Sequence, residues 1–302
     1  MRTVRTVSEL RAAVGAARRA GGTIALVPTM GYLHDGHLSL IRAARAQADL
    51  VVVSLFVNPT QFNDASDLAN YPRDEQRDAG LAGEAGADLL FAPPPAEVYP
   101  AGFATQVRVT GPLTESLEGA HRGADHFHGV TTIVTKLLNM VAPDVAFFGQ
   151  KDAQQALVIR RLAADLDLPA RIEVAPTVRE PDGLALSSRN VRLSDTDRRR
   201  ALALSRALHA AQATLAAGTS DAATITQAAR AAMTPFDVEP EYLALVDPDD
   251  LSPVTTVGQK SLLAIAAHVG PVRLIDNAVL APPSENITNN DIDVDAAVAT
   301  SS

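Results

Sequence analysis

What most constrains the fold is an alternation running through residues 24–175. Short, continuous apolar runs take turns with segments of helical periodicity. The runs lie at 24–28, 50–57, 88–91, 144–148 and 171–175 and include β-branched stretches such as Val51-Val52-Val53. A strand that is apolar at every position has both faces covered. Segments at 37–48, 73–86, 129–141 and 152–167 have the length and spacing of helices. An earlier helix, capped by Ser8, is expected to end at Gly21-Gly22. Strands joined by helices run parallel, so the pattern predicts an α/β fold built on a doubly wound, Rossmann-like sheet. In such sheets ligands bind outside the carboxyl ends of the strands.

After Pro176 the character changes. A polar loop leads to Leu186-Ser187-Ser188-Arg189, followed by Ala/Leu/Arg helices at 194–218 and 221–233. Runs at 241–246, 261–268 and 272–276 read as strands of a smaller C-terminal α+β domain. We therefore expect domains at 1–177 and 178–282, and a disordered acidic tail at 283–302. The tail holds Glu285, Asp291, Asp293 and Asp295 without a basic residue, so the net charge of −9 leaves −5 for the body. That balance argues against a nucleic-acid-binding surface. No apolar run is long enough to span a bilayer, and the start of the chain lacks a signal-peptide core. A cytoplasmic protein is expected. The chain has no cysteine, which excludes thiol nucleophiles and cysteine-based metal sites.

The polar residues that a buried sheet does not need fall at the strand ends. After the run at 24–28 stand His34, Asp35, Gly36 and His37. A helix start offers free N–H groups to a phosphate, and two histidines three apart share one face of the turn. The same pair also reads as two capping histidines, or as part of a zinc site given a third ligand. After the run at 50–57 come Asn58-Pro59-Thr60-Gln61-Phe62, whose neutral amides suit hydroxyl and carboxylate groups, or form an ordinary Asn-Pro turn. Gly149-Gln150-Lys151-Asp152 opens the next helix, where a cation is badly placed unless an anion sits beside it. Asp152 has three readings: helix cap, orienter of Lys151, or holder of a magnesium ion. Gln155 lies one turn further on. Ser187, Ser188 and Arg189 form an arm able to close over a polyphosphate, or a serine-rich linker. His126 and His128 read as a loop-to-helix entry rather than metal ligands.

Together these stretches resemble the pantothenate synthetases (pantoate–β-alanine ligases), a family within the His-x-Gly-His nucleotidyltransferases. The resemblance rests on 28–37, 58–62, Tyr71-Pro72-Arg73, 126–130, 148–155 and 182–190, and spans about residues 20–280. Gly123 stands where the family commonly has proline, and Ala153 where it often has an aromatic residue.

The resemblance implies an ATP-dependent ligase that activates pantoate as an acyl adenylate and transfers it to β-alanine. It implies His37, His34 and Lys151 as catalytic residues. The implied nucleotide site is Met30, Gly31, Tyr32, Leu33, His34, Asp35, Gly36, His37, Gly149, Gln150, Lys151, Asp152, Val178, Leu186, Ser187, Ser188 and Arg189. Gln61 and Gln155, with Asn58, Tyr71 and Arg122, are implied for the other substrates. Mg²⁺ is expected with ATP and without a dedicated protein metal site, in a homodimer whose C-terminal domain acts as a lid. Two alternatives are another nucleotidyltransferase of the same superfamily and a non-catalytic nucleotide-binding regulator. The first would want extra basic residues for an acceptor phosphate, where this chain has glutamines. The second would not need the histidines, Lys151 and Ser187–Arg189 together.

Overall fold

The computed structural model describes residues 1–62 and 65–282. The expected tail at 283–302 lies outside them. The described chain divides into two compact units. One is Met1–Val178 with Leu186–Ser188; the other is Arg179–Ala185 and the chain from Arg189 on.

The first unit is a six-stranded, wholly parallel sheet of β1 (Arg2–Val4), β2 (Ile24–Thr29), β3 (Leu50–Leu55), β4 (Leu89–Phe91), β5 (Val145–Gly149) and β6 (Arg171–Ala175). The order across the sheet is β1-β4-β3-β2-β5-β6. Alternate residues of β2 and β3 enter different cores, which is why their sequence is apolar up to the polar Thr29 and Ser54 near the strand ends. Ile24, Leu26 and Val52 pack with Leu10, Val14, Phe127, Val130 and Ile159, from helices on one face. Ala25, Val27, Val51 and Val53 pack with Leu38, Ile41, Ala44 and Ala82, from the helices Asp35–Arg45 and Glu75–Glu84, on the other.

The chain winds outward in both directions from β2 and β5, so the reversal of strand order falls between them. These two strands pair only at Ala25↔Val145 and Leu26↔Ala146. Beyond that point β2 continues to Thr29 and β5 to Gly149, leaving a crevice at their carboxyl ends. Pro28, which has no N–H to give, lies past the last β2–β5 pair.

The second unit is an antiparallel sheet, β7 (Pro240–Val246), β8 (Ser261–Val269) and β9 (Val272–Leu280). Leu263, Ile265 and Ala267 of β8 pack on Leu204, Leu208 and Ile225 from the helices Leu202–Ala216 and Ala222–Ala231. Within this unit the 179–185 turn is tied down by Arg179, which donates to both carboxylate oxygens of Asp276 at 2.7 and 2.9 Å.

The expected α/β class with a small α+β unit is what the chain adopts. Several element boundaries differ. The first helix is capped by Thr6, not Ser8: Thr6 Oγ1 accepts from Glu9 N–H while the Glu9 carboxylate accepts from Thr6 N–H, a reciprocal box that Ser8 has no glutamate to complete. The three-residue edge strand β1 is too short to show an alternating pattern. The helix expected at 129 begins at Ala124, which places His126 and His128 inside it. The segment 194–218 is two helices, Asp195–Arg200 and Leu202–Ala216, rather than one.

Candidate functional site

The turn after β2 carries the site. Thr29 Oγ1 donates to the Ser54 carbonyl at 2.7 Å and accepts from Gly31 N–H at 3.3 Å. Gly31 and Tyr32 then adopt φ of +88° and +52°, two successive left-handed residues. The reversal delivers His34 as the N-cap of the helix Asp35–Arg45. His34 Nδ1 accepts from Gly36 N–H at 3.2 Å, and His37 Nδ1 accepts from His34 N–H at 3.3 Å. The ring centroids stand 4.1 Å apart. Of the readings of this pair, capping is the one the structure displays. With Nδ1 of each ring committed as an acceptor, the proton of a neutral imidazole sits on Nε2, and each ring keeps one N–H donor.

Both rings are neutral at physiological pH. Burial, reinforced by the charge of Lys151, lowers His34 to about 4. Burial, then His34 and Lys151, lowers His37 to about 3. Lys151, on the turn Gln150–Asp152 after β5, is therefore felt at both rings across the crevice. Among the described residues no group of three His, Cys, Asp or Glu side chains is placed to hold a metal ion. Asp152 precedes the helix Ala153–Asp165 without a side-chain capping bond, and its charge acts on His34 and on His126. Of its three readings, the cap is the one the structure removes.

The stretch after β3 forms a 3-10 turn, Pro59–Gln61, around Asn58. Asn58 is 1% exposed. Its Nδ2 donates to Gln61 Oε1 at 3.0 Å and to the Gly129 carbonyl at 3.1 Å. Its Oδ1 accepts from Thr60 Oγ1 at 2.9 Å and Tyr99 OH at 2.8 Å. An amide so engaged has no donor left for a ligand; it orients Gln61 instead. Gln61 Nε2 lies 3.1 Å from Met30 Sδ, which joins this turn to the one after β2. His126 Nδ1 donates to the Gln61 carbonyl at 2.7 Å, and burial with the charge of Arg122 keeps that ring near 4. Arg122 pairs with Glu118 at 2.8 Å, and Tyr71 meets Phe62 edge-on at 5.7 Å.

Two buried residues support the site, Gln154 from the 148–155 stretch and Asp78 from outside the stretches of the resemblance. Buried Gln154 accepts from Glu118 N–H and donates to the carbonyls of Leu113 and Ser116, each at 2.9 Å, fixing the segment that leads to Arg122. Buried Asp78, from the helix Glu75–Glu84, accepts from Tyr32 N–H at 2.6 Å and Leu33 N–H at 2.7 Å. The supporting role of neither is visible locally, because their partners lie more than 35 residues away.

The 186–188 stretch reaches the same place. Leu186 N–H donates to the Val178 carbonyl at 3.0 Å, and Ser188 Oγ donates to the Tyr32 carbonyl at 3.3 Å. A Cβ on Gly36 would stand 2.9 Å from His34 Cε1 and 3.0 Å from His34 Nδ1, so a bare glycine leaves room for the capping imidazole. The first unit therefore brings together Met30–His37, Gly149–Asp152, Gln61, Val178 and Leu186–Ser188. Arg189 belongs to the second unit.

The family model for pantoate–β-alanine ligases matches residues 2–279. The chain belongs to that family. Pantothenate synthetase from Moorella thermoacetica is 53% identical over 281 residues, which is 93% of this chain and 99% of that protein. The Chelativorans enzyme is 54% identical over 280 residues, 93% and 98% of the two chains. The crystal structure of the Thermus thermophilus pantothenate synthetase superposes with a TM-score of 0.89 at 47% identity, covering 93% of this chain and all of that one. A Francisella tularensis ligase, solved with β-γ ATP and β-alanine, gives 0.77 at 32% identity, covering 92% and 97%.

The buried histidines of this ligase carry a pH dependence. An unfolded histidine takes up a proton near pH 6.5, whereas His34, His37 and His126 stay neutral down to about 4, 3 and 4. Unfolding therefore binds protons below 6.5. Their contribution to stability is complete above that pH and is lost as pH falls toward the folded values. Thermal melting is expected to drop between pH 6.5 and 4.5. In His126→Asn the slope against pH should flatten by about one proton. An unchanged slope would show that His126 is protonated in the folded protein.

Proposed function

We propose that this ligase condenses (R)-pantoate with β-alanine, using ATP and passing through pantoyl adenylate. One observation carries the reading: two neutral imidazoles, each with Nδ1 committed to a backbone N–H and Nε2–H left to donate, stand at the sheet's switch point within the field of Lys151. The Francisella relative, solved with β-γ ATP and β-alanine, supports the choice of nucleotide and amine.

In the first step a pantoate carboxylate oxygen attacks the α-phosphorus, and the bond to the bridging oxygen of the β-phosphate breaks, releasing pyrophosphate. Charge builds on the phosphate oxygens. Neutral N–H donors held by the backbone meet that charge without reorganising. His34 and His37 supply them, with His37 donating a hydrogen bond to the phosphates through Nε2–H. Lys151, Ser187 and Ser188 hold the triphosphate; Met30, Val178 and the Gly149 backbone bound the adenosine. Gln61 and Gln155 hold pantoate through hydroxyls and carboxylate without placing a positive charge beside the nucleophile. In the second step the free amine of β-alanine attacks the acyl carbon, the bond to AMP breaks, and the amine's proton passes to solvent. Arg122 and Tyr71 belong to this substrate side, and Asn58 acts through Gln61.

Mg²⁺ would arrive with the triphosphate, sharing its charge, and Asp152 is the carboxylate free of capping that fits it; few protein ligands is its usual mode with nucleotides. The same reading takes the protein as a cytoplasmic homodimer. Among the described residues no helix is long and apolar enough to cross a membrane.

The test is pyrophosphate release from Mg-ATP with pantoate alone, β-alanine alone, both, or neither. Release that needs pantoate, with sustained AMP formation only when both are present, is the expected result. Nucleotide binding without pantoate-dependent release would overturn the reading.

A further inference from the structure

We propose that Asp78 is a positioning residue for the His34–His37 pair, its buried carboxylate holding the 31–33 turn in the shape on which both imidazoles are mounted. This rests on the catalytic reading of that pair given above.

The turn needs an outside support. Tyr32 holds a left-handed φ of +52°, a conformation that non-glycine residues rarely adopt, directly after Gly31 at +88°. Neither the Tyr32 nor the Leu33 N–H takes part in the sheet; both donate to Asp78, one to each oxygen, at 2.6 and 2.7 Å. A buried group that must accept from two adjacent N–H donors is best supplied by a carboxylate, which offers acceptors only. The amide of asparagine would turn its own N–H toward one of them.

The support is itself rigid. Asp78 sits in the first turn of the helix Glu75–Glu84, whose N-cap Asp74 accepts from Arg77 N–H, and Asp78 N–H donates to the Asp74 carbonyl at 3.0 Å. The Arg77 guanidinium lies 3.3 Å from Asp78 Oδ1 and 5.1 Å from the centre of the Tyr32 ring, closing the cluster from outside. Gly31 completes the fit, since a Cβ there would come within 3.1 Å of Asp78 Oδ2 and 2.9 Å of Leu55 Cδ1. One residue beyond the clamped Leu33 N–H, the His34 N–H donates to His37 Nδ1. The direction in which the chain leaves the clamp therefore decides whether that bond forms, and with it which nitrogen of His37 carries the proton.

The experiment pairs Asp78→Asn with Asp78→Ala, the second assayed with and without formate. Turnover, the KM for ATP, and the tautomers and titration of His34 and His37 by ¹⁵N NMR are read on each. Expected for Asp78→Asn are a loss in kcat of about 10²-fold, a KM changed by less than about threefold, and mixed tautomers at pH 7 in place of the Nε2–H form. Expected for Asp78→Ala is a similar loss, partly restored by formate together with the wild-type tautomers. Folded variants with unchanged tautomers would overturn the proposal, as would two variants that fail to fold, which would make Asp78 a folding determinant instead. Altered tautomers with unchanged turnover would uphold the positioning role and overturn the catalytic reading of the pair.

Discussion

Replacing His37 by alanine is expected to lower turnover by about 10²–10³-fold, the usual effect of removing one preorganised donor from a developing oxyanion. The protein should stay folded. His37 lies one turn into the helix Asp35–Arg45, which keeps its core contacts through Leu38, Leu40, Ile41 and Ala44. The loss should appear in kcat more than in the KM for ATP, because the donor is needed most where charge develops. The Nδ1 contact with His34 N–H spends one nitrogen of His37 on orientation and leaves Nε2–H as its single donor, which alanine removes. Single-turnover pyrophosphate release measures it directly. A folded His37→Ala enzyme with near-normal kcat would remove the pair from the mechanism.

A second large effect is expected at Gly129, where alanine should damage stability and activity together. A Cβ at this position would stand 2.3 Å from the Thr60 carbonyl oxygen, 2.5 Å from its carbon and 2.7 Å from Gln61 N. All three are backbone atoms, so no side chain can swing aside. Either the helix Ala124–Val141 retreats or the Pro59–Gln61 turn is displaced. Overpacking of this kind costs about 1–3 kcal/mol, and more when only backbone can yield. The displaced turn would also lose the 3.1 Å bond from Asn58 to the Gly129 carbonyl, and with it the support of Gln61. Melting temperature and the KM for pantoate are the readouts: the first should fall by several degrees and the second rise about tenfold or more. A stable Gly129→Ala protein with normal pantoate saturation would contradict the packing described.

Much of the architecture was legible because it depends on local patterns. β2 and β3 announce burial on both faces by the unbroken apolar runs at 24–28 and 50–53, and Ile24 and Ala25 do enter opposite cores. The polar stretches were legible for the complementary reason: His34, Asn58 and Lys151 interrupt apolar runs just where a parallel sheet exposes its strand ends. Short or half-exposed elements were not. β1 spans three residues on the sheet edge, and Thr6 displaced Ser8 as a cap through a reciprocal bond with Glu9 that periodicity does not reveal.

The roles of single polar groups were the least legible. Asn58 reads as a ligand from its residue type, yet its amide is spent on Gln61, Gly129, Thr60 and Tyr99. Asp78 carries no signal at all, and Gln154, though within the 148–155 stretch, shows nothing of its role; both are polar residues in helical segments that look like solvated positions until their distant partners are known.

By itself, then, the sequence determined the parallel sheet, the small α+β unit and the stretches that meet at the strand ends. Hydrophobic periodicity and strand-end chemistry are local properties of a chain. Tertiary structure alone decided the crevice between β2 and β5, the proton positions on His34 and His37, and which amides face inward as supports. Those depend on hydrogen bonds closed between residues brought together only by packing, where the donor count of one segment is settled by the acceptors of another.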